Sequence, residues 1–460
     1  MRFEHRMSDS DALMWHVEKD PLLRSTITIV WWLDRPPDRD RLEDKIERAS
    51  RLIPRLRQRV VSNPYSLAPP RWEVDPNFDR KFHVRWLDAP AHGSARSVLD
   101  LAEPIAMQGF DRARPLWELY VVGGLPEGRA ALVLKLHHSL SDGVGLVRMT
   151  TALVERTRDA APTPGPLPPL PAGRVLTQPE RFLDALAHEW RRGLGRVRRV
   201  LGGVPGAVRG LAGAPIASAS GLGDVAASVG RLLRPATSSL SPIMRERSLS
   251  VRFDTLTVPV DRLKAAAKRV HGKLNDAFVA GVAGGLRRYH EAHGRDVESL
   301  RMSMPINVRE GETASVAGNQ FVPARFEVPI GIASPVERMA AIRNLVGRQR
   351  GEPALRLLDE MASLLNRLPL AASTALFGAM LKGIDFVTSN VPGPRFEVYL
   401  SGARLEGVVG FGPLAGSAAN VTLFSYLDRA HVGIATDPAA VSDPEHFVTC
   451  LEEGFDEVLA

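Results

Sequence analysis

Apolar residues recur along this chain at two spacings, and the switches between them mark out its elements. Leu42, Ile46, Ala49 and Ile53 stand three and four apart, so residues 41–56 predict an amphipathic helix with one inward stripe. Residues 26–32 are β-branched and aromatic, which predicts a strand. Residues 116–123 and 130–138 read as two more strands, joined by a loop with Gly124, Pro126 and Gly128. Helical spacing returns over residues 144–156.

Prolines at 162, 164, 166, 168, 169 and 171 force residues 160–172 into an extended, helix-free linker. Beyond it, Phe182, Leu186, Trp190, Leu194, Val197 and Leu201 recur every three or four positions among Arg191, Arg192, Arg198 and Arg199. This predicts a basic amphipathic helix over residues 182–201, with two readings: a helix that docks on a membrane or lipid droplet, or a brace packed on the two halves of the chain. Residues 202–237 are rich in Gly and Ala and are expected to be loosely structured. The second half predicts a strand at 249–259, helices at 261–270 and 275–293, and strands at 300–306 and 319–328. A helical region follows at 336–382, then strands at 386–390, 421–427 and 431–436 and a short terminal helix. The expectation is a mixed α/β (α+β) fold with an N-terminal domain at 1–159, a linker region at 160–245 and a C-terminal domain at 246–460.

A chain of 460 residues, 44% hydrophobic and 24% charged, can bury substantial cores. Charges run through residues 1–15, so no secretory apolar core is present and a cytoplasmic location is expected. The apolar stretch at 368–381 falls short of the roughly 20 residues that cross a bilayer, so membrane contact is expected to be peripheral. The single cysteine, Cys450, excludes an intrachain disulfide and a multi-cysteine metal site, and its apolar neighbours Phe447 and Leu451 make it a core residue. A net charge of +7 suits an anionic partner such as a CoA phosphate or an acidic lipid surface. Nucleic acid is not expected, because the basic residues do not interleave with aromatics on a stripe.

The chemistry concentrates in His137-His138-Ser139-Leu140-Ser141-Asp142-Gly143. Successive strand residues point to opposite faces, so the two histidines cannot both enter one cavity: one works and the other is structural. His138 shares parity with Leu132, Leu134 and Leu136, His137 with Lys135. The same divergence argues against a metal site built from both imidazoles and Asp142, and no metal is expected. Asp142-Gly143 predicts a tight turn into the next helix. An imidazole with an ordinary pKa near 6.5 can take a proton from a hydroxyl and return it to a thiolate leaving group. Asn275 stands at the start of a helix, where it is either a simple cap or an amide donor to a developing oxyanion. No G-x-S-x-G elbow, Walker A or H-E-x-x-H pattern is present, and the glycines at 410, 412 and 416 miss dinucleotide spacing.

The chain resembles the bacterial wax ester synthase/acyl-CoA:diacylglycerol acyltransferase family, within the superfamily of chloramphenicol acetyltransferases and peptide-synthetase condensation domains. The superfamily mark is the H-H-x-x-x-D-G of residues 137–143. The narrower resemblance runs through residues 72–79, the Arg114-Pro115-Leu116-Trp117-Glu118 run, Asn275-Asp276, Pro305-Ile306-Asn307-Val308-Arg309, Gly318-Asn319-Gln320 and the stretch Ser389-Asn390-Val391-Pro392-Gly393-Pro394. The opening at residues 7–12 departs from the Ser-Pro-x-Asp start of the family. The resemblance implies two chloramphenicol-acetyltransferase-like domains with a channel between them, His138 as general base and Asp142 as mainly structural. His137, Gly143, Pro115, Leu116, Trp117, Asp276, Arg309, Ser389 and Asn390 are then expected to shape the site. It further implies an O-acyltransferase whose acyl-CoA is a substrate rather than a cofactor, and whose acceptor is diacylglycerol or a long-chain alcohol. Two rivals stand beside it: an acyltransferase for another alcohol or a carrier-bound acyl group, and a non-catalytic lipid-surface protein.

Overall fold

The computed structural model describes residues 5–62, 68–90, 93–140, 150–161, 165–192, 194, 238–307, 321–350, 374–375, 378–379 and 381–460. The chain enters through α1 (Asp9–Val17), where the Ser8 hydroxyl accepts from Asp11 N–H and so satisfies one of the free donors of the first turn. β1 (Thr26–Leu33) follows, then α2 (Arg39–Leu52), capped by Asp38. The helix predicted to reach residue 56 ends at Leu52, because Pro54 drives Ile53 into extended backbone and restarts the chain as a short 3-10 turn. β2 (Gln58–Val61) and β3 (Arg71–Val74) pair with each other, and α3 (Arg80–His83) leads into β4 (Val84–Asp88). α4 (Ala95–Met107) keeps its helix across an internal Pro104. β5 (Trp117–Gly123) and β6 (Ala130–His137) close the first half as predicted, though β6 stops one residue short of His138.

Past the linker stand α5 (residues 178–192), β7 (Arg252–Pro259), α6 (Val260–Lys268), α7 (Leu274–Ala292), β8 (Ser299–Asn307) and β9 (Phe321–Pro329). α8 (Pro335–Arg350), β10 (Phe386–Pro392), β11 (Tyr399–Leu400), β12 (Ala403–Phe411), β13 (Ala419–Tyr426), β14 (Arg429–Thr436) and α9 (Pro444–Leu459) complete the chain. Three expectations change. Of the helix expected at 144–156, residues 144–149 lie outside the described residues and residue 150 is helical, but residues 151–153 form a turn and Glu155 pairs through its backbone with Tyr399 at the free edge of β11. The terminal helix has 16 residues and is not short, because Phe447, Leu451, Phe455 and Val458 bury a full stripe on α7. Of the region 336–382, α8 covers the first part and most of the rest lies outside the described residues.

After a bend at residues 165–166, residues 167–177 of the linker form neither helix nor strand, and the carbonyls of Gly165, Pro166 and Pro168 accept from Arg48 and Arg51 of α2. Among the described residues, two six-stranded sheets carry the fold, in the orders β11-β12-β1-β6-β5-β4 and β7-β14-β13-β10-β8-β9. The first sheet is therefore completed from the far end of the chain: β12 pairs antiparallel with β1, Thr28 opposite Phe411 and Leu33 opposite Leu405. The sheets meet where β12 crosses β14. A Cβ on Gly433 would stand 2.2 Å from the Gly410 carbonyl, so only glycine permits this approach. The Tyr426 hydroxyl donates to Leu405 O across the same junction.

Candidate active site

α1 does more than open the fold: it ends one residue before Glu18, and Glu18 grips the histidine strand. Its carboxylate accepts from His137 Nε2 (2.8 Å) and from Ser25 N–H (2.5 Å). Ser25 in turn accepts His138 N–H through its carbonyl (2.9 Å). Glu18, Ser25, His138 and His137 thus close a ring of contacts around the point where β6 ends. Burial alone would raise the Glu18 carboxyl, but His137 and the Ser25 N–H outweigh it and hold it below the usual range.

His137 is wholly buried and saturated. Ser139 N–H donates to its Nδ1 (3.1 Å), which makes Nδ1 the acceptor and leaves Nε2–H to donate to Glu18. Trp15 and Phe110 stand edge-on to its ring at 5.4 and 6.0 Å. Lys135, two residues back and equally buried, lies over the same Phe110 at 4.5 Å, so Lys135 and His137 share a face as the alternation requires. His138 is half-buried and already belongs to the 3-10 turn His138–Leu140, so the turn and not strand parity sets its direction. Burial, aided by the neighbouring His137, pulls the His138 pKa down to about 4. Its imidazole is therefore neutral at physiological pH.

The Pro115-Leu116-Trp117 run is the floor beneath this turn. Leu116 O accepts His137 N–H (3.0 Å), while Trp117 Nε1 donates to Leu56 O (2.8 Å) and its ring stacks on His83 at 4.5 Å. His83 Nδ1 reaches Trp117 O (2.7 Å), so a histidine overlooked in the sequence locks the motif in place. Asn275 is not a helix cap: Lys273 is, and the Asp276 carboxylate accepts Lys273 N–H (2.6 Å) in its place. The Asn275 amide donates to Met304 Sδ (3.2 Å), a weak acceptor that a better one can replace. Ser389 and Asn390 lie half-buried on β10, opposite Thr422 and Leu423 of β13. Asp142, Gly143 and Arg309 lie outside the described residues. Burial pushes the Cys450 thiol up to about 11 and leaves it 3% exposed, which suits core packing and not nucleophilic chemistry. Glu18 was missed in the sequence; its signal was Ser8 followed three residues on by Asp11, the start of a capped helix aimed at the histidines.

Residues 7–278 match the wax ester synthase/diacylglycerol acyltransferase catalytic domain, and residues 317–458 match the C-terminal domain of the same group. The chain belongs to this family. A putative diacylglycerol O-acyltransferase of Mycobacterium tuberculosis is 38% identical over 468 residues, covering 100% of this chain and 92% of the relative. Another from the same organism is 30% identical, over 99% and 97% of the two chains. Among solved structures, the wax ester synthase/diacylglycerol acyltransferase of Marinobacter aquaeolei VT8 superposes with a TM-score of 0.63 at 21% identity, over 99% of this chain and 98% of that one. The first condensation domain of the calcium-dependent antibiotic synthetase superposes at 0.61 with 16% identity, covering 99% and 95%. These two likenesses establish the two-domain acyltransferase fold that the motifs implied. In this wax ester synthase/diacylglycerol acyltransferase relative, no helix among the described residues is long and apolar enough to cross a membrane.

Proposed function

We propose that the protein transfers an acyl group from CoA to the hydroxyl of a lipid alcohol, diacylglycerol or a long-chain alcohol, in one step with His138 as general base. The observation that carries this reading is the His138 turn, whose backbone is held at the end of β6 by the Glu18–Ser25 ring, with burial keeping the imidazole in its neutral form. His138 takes the hydroxyl proton, the alkoxide-like oxygen attacks the thioester carbonyl, and the proton passes to the departing thiolate. Asn275 is the candidate donor to the oxyanion, where one such bond is worth about 10²–10³ in rate. Membership of the family supports the O-acyltransferase class, and the names of the Mycobacterium relatives support diacylglycerol as one acceptor. Such acceptors reside in lipid, so the protein works in peripheral contact with a lipid surface.

The direct test mixes purified protein with labelled palmitoyl-CoA and a panel of alcohols and identifies the ester by mass spectrometry. Transfer without an acyl-enzyme requires both substrates to be bound together. Initial-rate lines at varied acceptor should intersect; parallel lines would remove the one-step mechanism. The pH profile gives a second check. With its pKa near 4, His138 should remain about nine-tenths neutral down to about pH 5, so kcat/KM should stay flat from pH 8 to below 6 and fall on approach to 4. An inflection near 6.5 would mean that another group is the base. The same depression costs stability in acid: the unfolded chain binds this proton first, so folding weakens as pH falls from about 6.5 towards 4.

A further inference from the structure

Eight of the twelve large apolar side chains left exposed by the described residues fall between Leu167 and Leu194. Five of them, Phe182, Leu183, Leu186, Trp190 and Leu194, are 42–72% exposed and recur at helical spacing along one side of α5 and its continuation. The opposite side is polar and faces the protein. Asp184 pairs with Arg6 (2.5 Å) and Arg71 (3.0 Å), Arg192 pairs with Asp9 (2.5 Å), and Arg181 donates to Glu73 (3.4 Å). Of the apolar residues of α5, Ala185 alone is deeply buried, at 3% exposure. An ordinary surface helix turns its apolar stripe inward. α5 does the reverse: four ion-paired contacts fasten its charged side to α1, β3 and the segment before α1, and its apolar side is turned out.

We propose that this outward face of α5 docks the protein on an anionic lipid surface, an inference that rests on the reading of the acceptor as a lipid. The brace and the membrane-contact readings of the sequence are then two faces of one helix. Charge decides between lipid and a protein partner. Residues 195–237, which follow α5 directly, carry six arginines against a single acid, Asp224, and Arg191 is exposed beside Trp190. An apolar face that carries Trp190 and is followed in sequence by a net-positive stretch fits the boundary between acyl chains and anionic headgroups. The ion pair to Asp9 also ties the docked helix to α1, whose far end delivers Glu18 to His137. The surface that meets lipid and the turn that carries His138 therefore hang on the same short helix.

The test is co-sedimentation of the full chain with vesicles of phosphatidylcholine containing phosphatidylglycerol, beside vesicles of phosphatidylcholine alone. The wild type should prefer the anionic vesicles and should detach as salt rises, because exposed charges are screened over about 10 Å at 0.1 M. The variant Leu183→Gln/Leu186→Gln/Trp190→Gln changes only side chains that are more than half exposed, so its melting transition should stay close to that of the wild type. It should lose at least about tenfold in vesicle partition, since each buried CH₂ contributes to interfacial binding. Its rate with octanoyl-CoA and a short soluble alcohol should stay within about twofold. A folded variant that sediments like the wild type overturns the proposal. So does a wild-type dimer on gel filtration that the variant dissolves without any change in vesicle binding, because the occupant is then a second copy. If the wild type binds vesicles but makes ester from no alcohol, the acyl-transfer reading fails and the docking surface stands.

Discussion

His138→Ala should lower turnover with palmitoyl-CoA by at least about 10²-fold, the ordinary contribution of a positioned general base, while the melting temperature stays close to that of the wild type. The side chain is half-buried at a turn, and the backbone contact that holds the turn, His138 N–H to Ser25 O, survives the substitution. KM for acyl-CoA should move little, because the imidazole acts on the proton in flight and not on the bound ground state. A folded His138→Ala protein that keeps more than a tenth of wild-type kcat would remove His138 from the chemistry.

His137→Ala should act through folding, with a loss of about 2–3 kcal/mol in unfolding free energy, the cost of leaving a buried charged acceptor without its hydrogen-bond donor. The Glu18 side chain is only 11% exposed and His137 is 0% exposed, so the deletion strands a carboxylate that the Ser25 N–H alone cannot satisfy. The same deletion made on a Glu18→Gln background leaves no charge behind and should cost clearly less, with a coupling of about 1–2 kcal/mol between the two sites. Denaturant unfolding of the four proteins reads this directly. Additive losses would mean that the two side chains do not act as a pair.

The parts of this fold that were legible in the sequence are those in which a short-range pattern coincides with burial. β1, β5 and β6 alternate or run apolar with β-branched residues, and the structure places them within a residue or so of the pattern. The histidine pair was legible as a pair with one buried and one more open member, but the difference between saturated His137 and half-buried His138 comes from the 3-10 turn that starts at His138 and not from the strand alternation the sequence suggested. α1 was illegible for the opposite reason. It buries Asp11, Ala12, Leu13, Trp15 and Val17 on several sides, so no single stripe stands out. The cap expected at Asn275 lies two positions earlier, at Lys273, because the capping group is a carboxylate three residues on, Asp276, and not the side chain at the cap. β12 pairs with a strand at the other end of the chain, and no local spacing encodes such a partner. The apolar stripe of α5 was visible, but its orientation depends on Arg6, Arg71 and Asp9, residues remote from it in sequence.

The late arrival of β12 has a consequence for how the protein is made. β1, with the sequence Thr-Ile-Thr-Ile-Val-Trp-Trp-Leu, pairs with β6 on one side soon after both emerge from the ribosome, but its other side waits for residues 403–411. About 370 residues separate Leu33 from its partner Leu405, which at about 5–20 residues per second leaves that edge open for roughly 20–70 s. An open edge of eight mostly apolar β-formers is a template for pairing with another nascent chain. Yield during rapid overproduction should therefore be limited by this interval, and slower synthesis or a holdase that covers β1 should raise the soluble fraction more than any change at the active site.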